Sequence, residues 1–214
     1  MGMSWFQLDP QSIADRARAA GSSVPTLGAS LVRGMAGFTV VSVAGFVPWA
    51  GFGRWFRGHG GEAGMYAACA AVFILLTGPL LHRLIIGPGS MGRFYKLFAP
   101  AFTLYSLGWI VSWMSLRGHL GSVVGLASGT IIMGIMMIMV FDAWSGVVRV
   151  IAALFVLNSA GYFIGGVAEA ALIEKHALTA KLMWGVFYGL GFGAGLGLAF
   201  YFCQERARAL LLGR

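Results

Sequence analysis

The ionisable side chains of this chain leave six long intervals without a single Asp, Glu, Lys, Arg or His. They run 34–53, 63–81, 97–116, 120–141, 150–168 and 182–204, and each holds 19 to 23 residues. A helix rising about 1.5 Å per residue needs about 20 residues to cross a hydrocarbon core of about 30 Å. Charge inside that core is costly, so each interval predicts a membrane-crossing helix. The expected fold class is an all-α integral membrane protein with six transmembrane helices. The links between them, 54–62, 82–96, 117–119, 142–149 and 169–181, are too short for a second folded core.

The chain divides into a cytoplasmic or interfacial arm (1–33), a six-helix domain (34–204) and a cytoplasmic tail (205–214). In the arm, Asp9-Pro10 is a helix start, with Asp as N-cap and proline at the first helical position. Gly21 and Pro25 would stop that helix. With Trp5, Phe6 and Leu8 in the headgroup layer beside Arg16 and Arg18, it reads as a short helix lying on the cytoplasmic leaflet. A frayed cytosolic arm is the competing expectation. Acidic Asp9 and Asp15 precede the first apolar interval, unlike a signal peptide.

The net charge of +8 fits membrane electrostatics, and no nucleic-acid-binding motif accompanies it. One side holds Arg16, Arg18, Arg33, Arg83, Arg93, Lys96, Arg149, Arg206, Arg208 and Arg214. The other holds Arg54, Arg57, Arg117, Lys175 and Lys181. Ten against five predicts both termini in the cytoplasm, in a bacterial inner (plasma) membrane. Trp49, Trp55, Tyr66, Tyr95, Trp113, Trp144 and Tyr201 lie near span ends, as an interfacial belt would. His82, Arg83, Arg93 and Lys96 cluster on the inner side and are candidates to hold anionic lipid headgroups, or simply set topology. Asp142 and Arg149 flank one inner loop and are a candidate pair.

Glycine falls in rows. Gly121, Gly125 and Gly129 mark span 4, Gly161 and Gly165 span 5, and Gly185, Gly189, Gly193 and Gly197 span 6. Residues four apart share a helix face. Such flat faces let helices approach closely in lipid, where pairing brings no hydrophobic gain. Spans 4, 5 and 6 are therefore expected to form a tight group. A glycine row lining a narrow pore is the functional alternative.

The two halves are weakly alike. Ala70–Leu75 aligns with Ala152–Leu157, and Tyr105–Trp109 with Tyr188–Phe192, at offsets of 82 and 83 residues. Three spans per half would make this a 3+3 inverted repeat, as in many transporters and channels. Chance likeness among Ala-, Leu- and aromatic-rich spans is the competing explanation. If real, the repeat points to the irregular segments after the first match. These put a candidate solute path near Thr77, Gly78, Pro79, Asn158 and Ser159. Asn158 is the one carboxamide in a span interior, so it needs a partner there, whether a neighbouring helix or a ligand.

No Asp, Glu, His or Lys lies inside a span to relay protons, hold a retinal or ligate haem. No cluster has metal-ligand spacing, so no metal, catalytic residue or cofactor is expected. Met133, Met136 and Met137 share a face, which suits apolar packing better than copper. Cys69 and Cys203 read as small apolar packers. The leading expectation is a non-catalytic structural or assembly subunit of a larger membrane complex, with other membrane subunits or a second copy as partners. A small-solute channel or uncoupled transporter is the alternative. An enzyme or receptor for a lipid-soluble molecule ranks third.

Overall fold

The computed structural model describes residues 4–213. It is helical, with no strand among the described residues. After a 3-10 turn at Ser4–Phe6 come α1 (Pro10–Ala19), α2 (Leu27–Gly58), α3 (Gly61–Leu81), α4 (Ser90–Leu116), α5 (Gly118–Phe141), α6 (Val147–Leu172), α7 (Ala177–Cys203) and α8 (Glu205–Leu211). Helices α2 to α7 are the six long and apolar enough to cross a membrane, and they coincide with the six charge-free intervals. Each starts two to seven residues before its interval, and α2 and α6 also run past the end. α2, at 32 residues, is about 48 Å long at ~1.5 Å per residue.

The six long helices form a closed ring in chain order, each antiparallel to its neighbours. Gly45 abuts Phe73 (α2–α3), Phe73 meets Phe102 (α3–α4), and Gly121, Gly125 and Gly129 face Trp113, Trp109 and Tyr105 (α4–α5). Gly134 faces Ile151 (α5–α6), Gly161 meets Gly191 (α6–α7), and Gly193 meets Gly34, closing α7 onto α2. The seam between α3 and α4 is the sparsest of the six. α1, α8 and the turns at 82–89 and 142–146 share one end, the terminal face; the short turns at 59–60, 117 and 173–176 share the distal face.

α7 is held from two sides. Its row of Gly185, Gly189, Gly193 and Gly197 lies on α2, not on α5 or α6. A Cβ added to Gly189 would sit 2.5 Å from the Cα of Thr39, and one on Gly197 2.5 Å from the Ser30 oxygen. Its other face, Gly191 and Gly195, lies on Leu157, Gly161 and Ala153 of α6. The α5 row packs on α4, so of the expected group of spans 4, 5 and 6 only the approach of spans 5 and 6, at Gly161 and Gly191, is glycine-tight. Side chains as large as Trp109 and Tyr105 need a flat surface opposite, which the α5 glycines supply.

The terminal face is plugged. Leu84, Ile85 and Ile86 are buried although they belong to a turn, so their backbone polar groups need partners away from water. Gln204 supplies two. Its Oε1 accepts from the Ile86 N–H at 2.8 Å, and its Nε2 donates to the Leu84 carbonyl at 2.8 Å and to the Phe200 carbonyl at 2.9 Å. α1 lies against α8 and buries Ile13, Ala14 and Ala17, with Leu8 beside them. Leu8 is therefore core, while Trp5 stays exposed with the Lys96 ammonium 4.6 Å from its ring. Arg18 donates to the Leu210 carbonyl at 2.7 Å. Asp142 and Arg149 do not pair with each other. Arg206 reaches Asp142 at 2.8 Å and Arg149 reaches Glu205 at 2.6 Å, so the two ion pairs tie α8 to the turn before α6 and to the first turn of α6 itself.

Two expectations follow. Gly193→Ala puts a methyl into the Gly34 carbonyl and should cost about 2 kcal/mol in denaturant unfolding of the detergent-solubilised protein. Gly166→Ala, with open space around it, should change stability by less than about 1 kcal/mol; equal losses at both sites would refute the glycine seam. At α1, the Asp9 carboxylate accepts from the Ser12 N–H at 2.9 Å as N-cap. Partial burial pushes its pKa up, but the hydrogen bonds from Ser12 and the nearby Arg16 outweigh that and hold it below the ordinary 3.8. A depressed pKa means the cap stabilises α1 above about pH 3.8 and is lost as pH falls through the folded value. Amide exchange protection of α1 should drop on acidification in the wild type, and Asp9→Asn should abolish that dependence while keeping the cap.

Candidate functional site

A cavity of about 340 Å³ lies inside the ring in its distal half. Four helices supply most of its wall: Gly45, Phe46 and Trp49 from α2, Tyr66 to Phe73 from α3, Phe102 to Trp113 from α4, and Trp184 and Tyr188 from α7, with Tyr162 of α6 behind. Of the 16 lining residues, 11 are aromatic, which makes the wall a set of flat apolar faces suited to stacking. The rings touch in sequence around it. Trp113 stacks on Trp109 at 6.0 Å between centroids, Trp109 meets Tyr162 at 6.2 Å, Tyr162 meets Trp184 at 5.2 Å, and Trp184 meets Trp49 at 5.7 Å.

Spacing along α4 explains this wall. Phe94, Phe98, Phe102, Tyr105, Trp109 and Trp113 recur every three or four residues, so they share one helix face. In the terminal half that face is stacked solid. Phe94, Phe98 and Phe102 lie at 5.0 and 5.3 Å from one another, with Phe200 against Phe94 at 5.7 Å. In the distal half that face lines the cavity, together with Tyr66, Cys69, Ala70 and Phe73 of α3. α3 and α4 are joined lower down, where the Tyr95 hydroxyl donates to the Leu75 carbonyl and the ring fills the notch left by Gly78.

The floor is polar. The hydroxyls of Tyr105 and Tyr188 lie 3.2 Å apart, and Asn158 Nδ2 donates to the Tyr105 oxygen at 2.9 Å. Tyr105, Asn158 and Tyr188 are 4%, 0% and 8% exposed. Asn158 Oδ1 has no hydrogen-bond partner. At the mouth, the Lys181 ammonium lies 4.5 Å from the Trp49 ring and the Arg117 guanidinium 5.1 Å from the Trp113 ring. Both are cation–π contacts that hold the tryptophan faces in place.

The candidate path residues do not converge. Thr77, Gly78 and Pro79 lie near the terminal end of α3, where the Thr77 hydroxyl donates to its own helix at Ile74 (2.8 Å). Asn158 and Ser159 lie mid-way along α6. None of the five lines the cavity, though Asn158 holds its floor through Tyr105. Ser159 Oγ is buried without a partner. At the other end His82 Nδ1 and Ser90 Oγ lie 2.9 Å apart, Arg93 donates to the Pro88 carbonyl, and Lys96 covers Trp5. Arg83 has no ion pair among the described residues. Met133 and Met137 are core residues, and no His, Cys, Asp or Glu group suited to a metal occurs among the described residues.

The cavity's aromatics were missed in the sequence. Trp49, Tyr66 and Trp113, which the sequence places in an interfacial belt, also line the cavity. The missed signal was the period along α4, which places Trp109 and Trp113 on the face of the buried Phe98 and Phe102. No family model, curated protein or solved structure matches this chain.

Cys69 lines the cavity and Cys203 is 2% exposed in the core. In detergent or nanodiscs, N-ethylmaleimide should modify Cys69 at least about tenfold faster than Cys203, as read by peptide mass spectrometry. Equal rates would mean the distal half is closed.

Proposed function

We propose that this protein binds a small lipid-soluble molecule, as a membrane receptor or carrier, with the distal aromatic cavity as its site. The observation that carries this reading is the cavity's composition: about 340 Å³ walled by 11 aromatic side chains. That volume is at the lower end of small-molecule sites, which are typically apolar with a few placed polar groups. The loosest seam of the ring, α3–α4, borders the cavity on both sides, so a molecule dissolved in the bilayer reaches the site sideways.

Two other expectations lose support. The structural-subunit reading drew on the glycine rows, and those of α5 and α7 face neighbours within the same chain. A channel would have to pass the stacked Phe94, Phe98, Phe102 and Phe200 and the plug held by Gln204. For orientation, the bias of ten basic residues against five supports cytoplasmic termini in a bacterial inner membrane. In that setting α1 lies at the cytoplasmic interface, and Arg93 and Lys96 reach anionic headgroups. The inverted repeat is supported by one contact: Tyr105 and Tyr188, which the alignment pairs at an offset of 83, meet at their hydroxyls. An axis relating the halves would bring equivalent residues together there. The two seams it would exchange, α3–α4 and α6–α7, are unequal, the second being closed by Gly161 and Gly191.

Organic extraction of protein purified from its native membrane should release one lipid-soluble molecule in near-stoichiometric amount. Ala70→Trp, which fills the cavity from α3, should reduce the yield to less than about a tenth without unfolding the protein. Identical extracts from both would count against the site.

A further inference from the structure

Two arginines meet the same turn of the terminal face, and neither has a counter-ion. Arg16 belongs to α1 and Arg93 to the first turn of α4. A Cβ on Gly87 would lie 3.8 Å from the Arg16 Cβ, and one on Gly89 3.6 Å from Arg93 Nη2. Gly87 and Gly89 have φ of +92° and +63°, a left-handed backbone that glycine alone adopts without strain. The bend that brings the two side chains to one turn therefore needs both glycines. The three ion pairs among the described residues use Arg18, Arg149 and Arg206, not these two. Arg16 and Arg93 each donate one terminal N–H to a backbone carbonyl instead, of Gln7 and Pro88 respectively. Their Nε atoms are shielded and unpartnered. Their Nη1 groups also lack a partner among the described residues, but these are open to water. Asp9 and Asp15 are engaged elsewhere, Asp9 on the Ser12 N–H and Asp15 on Gln11 and Arg18. Burial and then the Arg93 charge lower the Arg16 pKa, against the pull of those two carboxylates. A half-buried pair of like charges is unfavourable until an anion joins it.

We infer that Arg16 and Arg93 form a clamp for one phosphate group, held by the free Nη1 edges of the two guanidiniums. A guanidinium presents N–H donors in a fixed fork that matches phosphate oxygens, which an ammonium does not. The Gln7 and Pro88 carbonyls hold the two forks in place before the anion arrives. The depth suits a phospholipid headgroup. Arg93 stands one turn before the charge-free interval that begins at residue 97, and Lys96 lies over the exposed Trp5 ring. A phosphate in the clamp would join α1 to α4 across the turn at 87–89. This goes beyond the headgroup attraction of Arg93 and Lys96 by naming a second arginine, on another helix, and a single bound group. The clamp shares no residue with the distal cavity. It rests on the terminal face meeting the bilayer surface only for the source of the phosphate, which is a lipid headgroup in that case and a soluble phosphate otherwise.

Native mass spectrometry of the full-length, delipidated protein in detergent reads the clamp, with phosphatidylglycerol as the lipid probe and inorganic phosphate as the soluble one. The Arg16→Lys/Arg93→Lys double variant keeps both charges and loses both forks, and should bind phosphatidylglycerol about tenfold or more weaker than the wild type. Arg83→Gln removes a charge from the same turn, at an exposed arginine without an ion pair, and should weaken binding less than about threefold. Amide exchange protection of α1 should rise when the lipid is added to the wild type, a readout that needs no variant. Diffuse attraction to a basic surface predicts the opposite order, with Arg83→Gln losing more than the double lysine variant, and that result overturns the clamp. Binding of inorganic phosphate but not of the lipid, with the same sensitivity to the lysine variant, keeps the clamp and removes the headgroup reading. Binding of neither probe overturns the clamp.

Discussion

Close backbone approach along α7 is the contact on which the rest of the structure depends. In a bilayer, apolar side chains gain nothing by leaving lipid for protein, so helices associate through van der Waals contact and hydrogen bonds. α7 meets that demand on two faces, with Gly185, Gly189, Gly193 and Gly197 on α2 and Gly191 and Gly195 on α6. Without it the first and last crossing helices would have no reason to meet, and the chain would be a row of hairpins. Because α7 closes the ring, the helices on the opposite side need not be tight.

That freedom is used at α3 and α4. These helices carry Phe73, Phe94, Phe98, Phe102, Trp109 and Trp113 where α7 carries glycine. Large rings hold backbones apart, and the space this leaves is filled by stacking only where enough rings are present. In the terminal half Phe94, Phe98, Phe200 and Phe141 fill it. In the distal half the aromatics line it instead, and the cavity results. Polar groups follow the same division. At the terminal face both ends of the Gln204 amide are used, on the buried turn at Leu84 and Ile86 and on the Phe200 carbonyl, which rigidifies it. At the cavity floor the Tyr105–Asn158–Tyr188 set is satisfied only in part. A half-satisfied network is a poor way to stabilise a core.

The crossings were legible because charge exclusion from hydrocarbon is strong and local. The Asp9 cap was legible for a similar reason, since capping is settled within four residues and Ser12 stands where an N-cap needs it. Helix partners were not legible. A glycine row announces a flat face but carries no information on which helix lies against it, so the α7 row was assigned to spans 4 and 5 while it lies on α2. Gln204 looked like the last residue of a span, and its role depends on a turn 118 residues away in sequence. Asn158 was correctly suspected of needing a partner, yet Tyr105 of α4 could not have been named from spacing alone.

The tryptophans near span ends show why the cavity was hidden. Indole favours the depth where hydrocarbon meets headgroups, because its ring is apolar and its N–H is a donor. That preference fixes depth, not direction around the helix. Trp49, Trp113 and Trp184 satisfy it while pointing inward, and the Trp184 N–H donates to the Tyr162 carbonyl at 3.0 Å inside the bundle. An aromatic belt and an aromatic binding site are therefore compatible uses of the same residues. The direction is set by what the neighbouring turn offers. Trp109 and Trp113 have their backbone against Gly125 and Gly121, so α4 is drawn onto α5 by the very residues whose rings wall the cavity. Replacing either glycine by a larger residue would move the wall as well as the seam, which couples the packing of the ring to the shape of the site.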